Sequence, residues 1–294
     1  YDAAGQRRDA KVFYGRAAAY PGTYYGQLAA AKLGQKKLTL RRQRASSNDR
    51  SRLERRELYQ AIKALETAGY GWRGDILYRH LARTLDSAGE IALLAARAER
   101  RGDFNLSLQL GKLAYTRGLP ADTLAFPLGA IPKGAKISAV GKALAYSIAR
   151  QESAFNPRAV SPAGARGLLQ LLPGTAAGVA KRNGMRYSKA ALTRDPALNA
   201  SLGAAYFTEQ RAKFNGSYIL TLVAYNAGPR RATDWAAKYG NPAGQSVDDI
   251  VDWVERIPFT ETRNYVMRIL ENYQVYKTRI SNSPLQIERD LRAG

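Results

Sequence analysis

Glu152 stands where the pattern around it calls for an apolar side chain. Val140, Leu144 and Ile148 recur at four-residue intervals and mark one stripe of an amphipathic helix. The next position in the series is Glu152; Phe155 follows three residues later, and Asn156-Pro157 closes the helix. A carboxyl so placed lies on an apolar face near the negative end of a helix. Burial and the helix dipole both disfavour its charged form, so its pKa rises. An acid kept protonated near neutral pH can donate a proton to a leaving group. Turned out to water, or capping a neighbouring helix, the same side chain would do no chemistry.

Few other groups compete for that role. Between Glu152 and Ala224 the only acids are Asp195 and Glu209. Asp195 precedes Pro196, which is the pattern of an N-cap followed by proline at the first helical position. Glu209 lies four residues before Lys213, the spacing of a surface ion pair on a helix. The single histidine, His80, sits beside Arg79 and Arg83 and reads as a surface residue, which argues against a Ser-His-Asp triad or a histidine metal site. With no cysteine, disulfides and thiolate chemistry are excluded, and the composition fits an oxidising compartment.

The elements that must position these groups are predicted to be helical. Tyr14 to Gly34 alternates small and aromatic residues and stops at Leu33-Gly34, and the basic stretch Gln35 to Asn48 reads as a linker. Helices are expected over Asp49–Ala68, Asp75–Leu85, Ala88–Arg101 and Phe104–Arg117, with Asp75 and Asp103 as N-caps and Gly69, Gly89, Gly102 and Gly118 at the ends. Such serial short helices make a superhelix or bundle. Prolines 120, 127 and 132 mark a boundary. Beyond the Glu152 helix, further helices fit Thr175–Asn183, Pro196–Phe214, Tyr218–Asn226, Ala232–Tyr239, Val247–Glu255 and Glu261–Thr278. The one place for a small β element is Gly164 to Leu171, where glycines flank a β-capable run.

A net charge of +22 calls for an anionic partner or for a surface that tolerates one, and it is spread evenly: 23 of the 46 Lys and Arg and 12 of the 24 acids precede Phe126. Nucleic acid is the usual partner for such a balance. However, no RNP-like aromatic motif, zinc-finger spacing or Gly-x-x-Gly clamp occurs, and a carbohydrate bearing carboxylates would satisfy the same charge. No 18-residue apolar run suggests a membrane span. The chain starts without Met or a leader, as a mature, excised or fragmentary chain would.

From Glu152 the sequence runs Glu-Ser-Ala-Phe-Asn-Pro-Arg-Ala-Val-Ser-Pro-Ala-Gly-Ala-Arg-Gly-Leu-Leu-Gln-Leu-Leu-Pro-Gly-Thr-Ala176. Gly203-Ala-Ala-Tyr-Phe207, Ala224-Tyr-Asn-Ala-Gly228 and Ile257-Pro-Phe-Thr-Glu-Thr-Arg-Asn-Tyr265 follow in order. This resembles the goose-type-lysozyme-like catalytic domain of the soluble lytic transglycosylases. Tyr20-Pro-Gly-Thr-Tyr-Tyr-Gly26 and the helices up to Phe126 are similar to the regions that precede it in larger members. The resemblance implies a mainly α fold: the end of an α-superhelical domain over 1–37, a helical linker domain over 38–125, and a lysozyme-like catalytic domain over 126–294 with a very small β element. It implies cleavage of the β-1,4 bond between N-acetylmuramic acid and N-acetylglucosamine, releasing a 1,6-anhydromuramyl end without adding water.

A glycosidase with one acid is coherent when the substrate's own N-acetyl oxygen attacks the anomeric carbon. Glu152 would then serve as acid and afterwards as base. The resemblance further implies substrate-binding roles for Ser161, Gln170, Tyr225, Asn226, Glu261 and Tyr265. Ser161 would bond the N-acetyl group or Glu152, or only form a turn. Gln170 would bind sugar, or only satisfy backbone at a strand edge. Tyr225 and Asn226 would touch Glu152 and the N-acetyl group, or Asn226 would only end a helix. Glu261 would reach a distant subsite or only complement a helix dipole. Tyr265 would hold the carboxyl in place. Leu169 and Leu172 stand where the family often has methionine, a volume-conserving exchange. No cofactor and no metal are implied. The partners implied are peptidoglycan glycan strands, with cell-wall or secretion-complex proteins as further candidates, and the protein would be a periplasmic monomer. A hydrolytic muramidase and a non-catalytic peptidoglycan-binding module are the alternatives.

Overall fold

A computed structural model describes all of residues 1–294. The chain opens with α1 (Arg7–Ala18) and α2 (Tyr24–Lys32), separated by the Pro21-Gly22 turn. Five helices follow: α3 (Ser47–Glu54), α4 (Glu57–Thr67), α5 (Asp75–Thr84), α6 (Ala88–Arg100) and α7 (Phe104–Thr116). The remainder holds α8 (Lys142–Ser153), α9 (Pro173–Arg182), α10 (Ala191–Arg194), α11 (Pro196–Lys213), α12 (Tyr218–Ala227), α13 (Pro229–Tyr239), α14 (Val247–Glu255), α15 (Thr260–Ser281) and α16 (Ile287–Arg292). The fold is thus mainly α. Its only β character is a pair of single antiparallel bridges, Val160 to Arg166 and Arg166 to Leu171. No helix is long and apolar enough to cross a membrane.

Two compact units result. One comprises Thr39–Ala130 with Ala154–Asn156; the other comprises Tyr1–Leu38, Ile131–Ser153 and Pro157–Gly294. The first 38 residues therefore pack with the segment that carries Glu152.

In the first unit, Ile62, Tyr78, Leu81, Ile91, Leu94 and Leu106 form a closed apolar centre. Several local expectations change here. The predicted helix over Asp49–Ala68 is two helices broken at Arg55-Arg56, and the first starts earlier, capped by Ser46 through a reciprocal capping box with Asp49. Asp75 opens α5 without capping it; its carboxylate instead takes Arg101 at 2.8 Å. Gly89 is not a terminus but lies inside α6, where a Cβ would come within 2.3 Å of the Asp49 carboxylate. Asp103 does cap α7, accepting from the Leu106 amide at 2.8 Å.

The second unit is built around α15, which is buried on most sides. Its backbone runs opposite to α8: Glu152 meets Tyr265, Arg150 meets Asn272, and Tyr146 packs on Tyr276. Helix α2 secures α15 from another side. The buried Glu271 carboxylate accepts from the Tyr24 amide at 2.7 Å and from Arg268 at 2.8 Å, while the Gln27 side chain donates to the Glu271 carbonyl at 3.0 Å. Burial holds the Glu271 pKa up, yet its bonds leave no oxygen unsatisfied.

Candidate active site

Glu152 occupies the last turn of α8, where the helix carbonyls point toward its carboxyl. The chain leaves that helix through Ala154 and Phe155, both left-handed, with φ of 50° and 64°. Neither is glycine, so this exit costs on the order of 1–3 kcal/mol per residue, which surrounding packing must offset. The side chain is partly buried. Burial pushes its pKa from 4.5 up to about 8, a hydrogen bond from Tyr265 opposes the rise, and the charge of Glu261 adds to it.

Tyr265 is buried, and its hydroxyl donates to Glu152 Oε1 at 2.5 Å. The other carboxyl oxygen has no protein hydrogen bond and remains accessible. One oxygen is thus fixed and one is open, which is the geometry a proton donor needs.

The remaining motif residues are spread around this carboxyl. The Tyr225 hydroxyl donates to the Leu169 carbonyl at 2.9 Å and makes no bond to Glu152, although the Glu152 charge contributes to its raised pKa. Asn226 accepts from Thr262 at 2.7 Å and likewise does not bond Glu152. Ser161 accepts from the Ala165 amide at 3.0 Å, closing a turn, and does not bond the carboxyl. Gln170, with φ of 45°, donates its side-chain amide to the carbonyls of Gly167 at 2.8 Å and Ala159 at 3.2 Å. Its amide oxygen is left without a partner. Glu261 is exposed in the first turn of α15. Leu169 is fully buried, whereas Leu172 is about half exposed.

Residues outside the quoted roles do much of the positioning. Asn199, buried on α11, accepts from the Leu169 amide at 2.8 Å and donates to the carbonyls of Arg166 and Leu192 at 2.9 and 3.1 Å. Ser153 bonds the Leu168 carbonyl at 2.9 Å, tying the loop directly to the end of α8. Glycines complete the fit. Gly167 has φ of 79° and would place a Cβ 2.1 Å from the Leu192 carbonyl, and Gly203 receives Leu169 where a Cβ would be 2.4 Å away. An asparagine inside a helical apolar run was the one visible sign of this role for Asn199.

Neither of the other candidate acids reaches the site. Asp195 caps α11, accepting from Leu198 at 2.9 Å. Glu209 pairs with Arg182 at 2.6 Å and Asn183 at 3.0 Å rather than with Lys213, because α9 packs alongside α11 and offers a better-placed cation. No group of histidine, cysteine or acidic residues is arranged to hold a metal ion.

Residues 129–247 match the transglycosylase SLT domain. The soluble lytic murein transglycosylase of Salmonella typhimurium is 33% identical over 265 residues, covering 86% of this chain and 38% of that protein. The same-named protein of Escherichia coli K12 is 40% identical over 146 residues, 49% of this chain and 22% of that one. Among solved structures, the 70 kDa soluble lytic transglycosylase of Escherichia coli superposes with a TM-score of 0.78 at 28% identity, over 99% of this chain and 46% of that one. An inactive Glu-to-Gln mutant of lytic transglycosylase Slt from Pseudomonas aeruginosa superposes with a TM-score of 0.75 at 26% identity, over 97% and 45% of the two chains. The chain therefore spans less than half the length of these relatives. Residues 129–247 thus match the transglycosylase SLT domain, and the chain as a whole is similar to the soluble lytic murein transglycosylases.

Proposed function

We propose that the protein is a periplasmic lytic transglycosylase, cleaving the β-1,4 bond between N-acetylmuramic acid and N-acetylglucosamine in peptidoglycan. The observation that supports this most directly is a single carboxyl with its pKa near 8, one oxygen held by Tyr265 and the other open. In the first step Glu152 gives its proton to the glycosidic oxygen as that bond breaks. The muramyl N-acetyl oxygen bonds the anomeric carbon in place of a second carboxylate, in the manner of substrate-assisted glycosidases. In the second step the muramyl C6 hydroxyl attacks the anomeric carbon and displaces the N-acetyl oxygen. Glu152, now a carboxylate, takes the hydroxyl proton, and the 1,6-anhydro ring closes.

The commitment of Asp195 and Glu209 to structural partners favours this over a two-carboxylate hydrolysis. Ser161, Gln170, Tyr225, Asn226 and Glu261 are proposed to line the sugar sites, with the open amide oxygen of Gln170 suited to an N-acetyl N–H. Mass spectrometry of products released from purified sacculi tests the proposal. Muramyl ends lighter by one water than the reducing form are expected, and reducing ends would instead establish a muramidase. Glu152→Gln should retain sacculus binding and lower release at least about 100-fold; unaltered release would reject Glu152 as the acid.

A further inference from the structure

At the other end of α12 and α15 from Glu152 lies a cavity of about 510 Å³ with a markedly cationic lining. Arg211 and Lys277 form its inner wall; Arg289 and Arg292, exposed on α16, stand at its rim. The one lining carboxylate, Asp290, is buried and already bonded to Lys277 and Gln274, both at 2.5 Å. None of the three arginines has a carboxylate partner. With Lys277 and Asp290 neutralising one another, three unpaired arginines leave a concave site that attracts anions. Planar guanidinium groups suit carboxylates in particular, since each can be held by two parallel bonds.

The cavity walls also limit what can bind. Arg211 lies 4.5 Å from the ring centre of Tyr218 and Lys277 4.5 Å from that of Tyr273. The tyrosine faces are therefore covered by cations and offer no platform for stacking a nucleobase. From Tyr225 to Tyr218 and from Tyr265 to Tyr273 the helices advance seven or eight residues, roughly 11–12 Å along their axes. An extended peptide of four residues spans about 13 Å. That axial separation is comparable with the reach of a short peptide attached to a sugar beside Glu152.

We propose that this cavity is an anion site for the carboxylates of the short peptides carried on peptidoglycan strands, distinct from the Glu152 site. Its substrate assignment rests on the transglycosylase reading above. The variant that tests it is the double substitution Arg289→Gln with Arg292→Gln, which removes two rim charges that have no internal partners and should leave the thermal midpoint unchanged. Isothermal titration with the free tetrapeptide should show binding weakened about 10-fold or more in the variant, with much of it restored by Lys at both positions. Turnover of peptide-bearing glycan should fall about 5-fold in kcat/KM, while turnover of glycan stripped of its peptides should not change.

Equal tetrapeptide binding by wild type and variant would overturn the proposal, as would the absence of binding to wild type. Binding of inorganic pyrophosphate without binding of tetrapeptide would overturn it in favour of a phosphate ligand. Should wild type cleave neither glycan, the transglycosylase reading would fall, and the tetrapeptide titration would still decide the fate of the cavity.

Discussion

Protonation of the Glu152 carboxyl sets the pH response of the site. A group acting as an acid with a pKa near 8 is competent below that value. The proposed activity should therefore hold through neutral pH and fall about tenfold per unit above 8, as a profile of kcat/KM against pH would show. Stability should move in the same direction. Between 4.5 and 8 the folded chain keeps a proton that the unfolded chain releases, so this contribution is complete below 4.5 and lost as pH approaches 8. Glu152→Gln should consequently be more stable than wild type at pH 8, by on the order of 2 kcal/mol in denaturant unfolding, and similar to it below pH 4.5. Tyr265→Phe removes the bond that opposes the pKa rise. Its alkaline limb should shift upward, and its rate should fall roughly 10–100-fold through lost orientation of the carboxyl.

The next scale is the loop from Ser161 to Leu172, a backbone held in place by α11 and the end of α8. Asn199 supplies two of its anchors, at Leu169 and Arg166, ties it to Leu192 of α10 and is fully buried, so Asn199→Ala would strand the buried Leu169 amide and the Leu192 carbonyl. A loss of about 2–3 kcal/mol in thermal or denaturant unfolding is expected. Hydrogen exchange at Leu169 should rise with it. Gly167→Ala should cost at least as much, since a positive φ and a 2.1 Å approach to the Leu192 carbonyl act together. Leu144 and Ile148 on the α8 stripe, the cap of α7 and the limits of α14 were all visible beforehand, because helix periodicity and capping are local properties. Val140, expected on the same stripe, lies instead in the turn before α8. The Asp75 and Gly89 expectations fail for the converse reason. Arg101 and Asp49 are distant in sequence, and a tertiary partner outweighs a propensity of about 1 kcal/mol.

Across the molecule, the first 38 residues belong physically with the Glu152 segment. Deleting them would take the Tyr24 amide and the Gln27 side chain away from Glu271 and would uncover α15. The truncated chain should lose several kcal/mol of stability as apolar surface of α15 becomes exposed, measurable as a lowered thermal midpoint. The +22 charge also acts at this scale. Binding to sacculi should weaken steeply between low and moderate salt, because exposed charges are screened within about 8–10 Å at physiological strength. Salt-insensitive binding would show that contacts other than charge hold the strand.

The sequence by itself determined a helical chain, an acid on an apolar stripe, the scarcity of competing acids, and the motif order that carries the resemblance. Each depends on neighbours within a few turns or on composition. Only the tertiary structure decided that Tyr225 turns to Leu169 and not to Glu152, that Glu209 pairs with Arg182, and that Arg211 and α16 enclose one cavity. Those outcomes join residues tens of positions apart. Which of several chemically equivalent partners is nearest is set by how helices pack, and no local pattern encodes that choice.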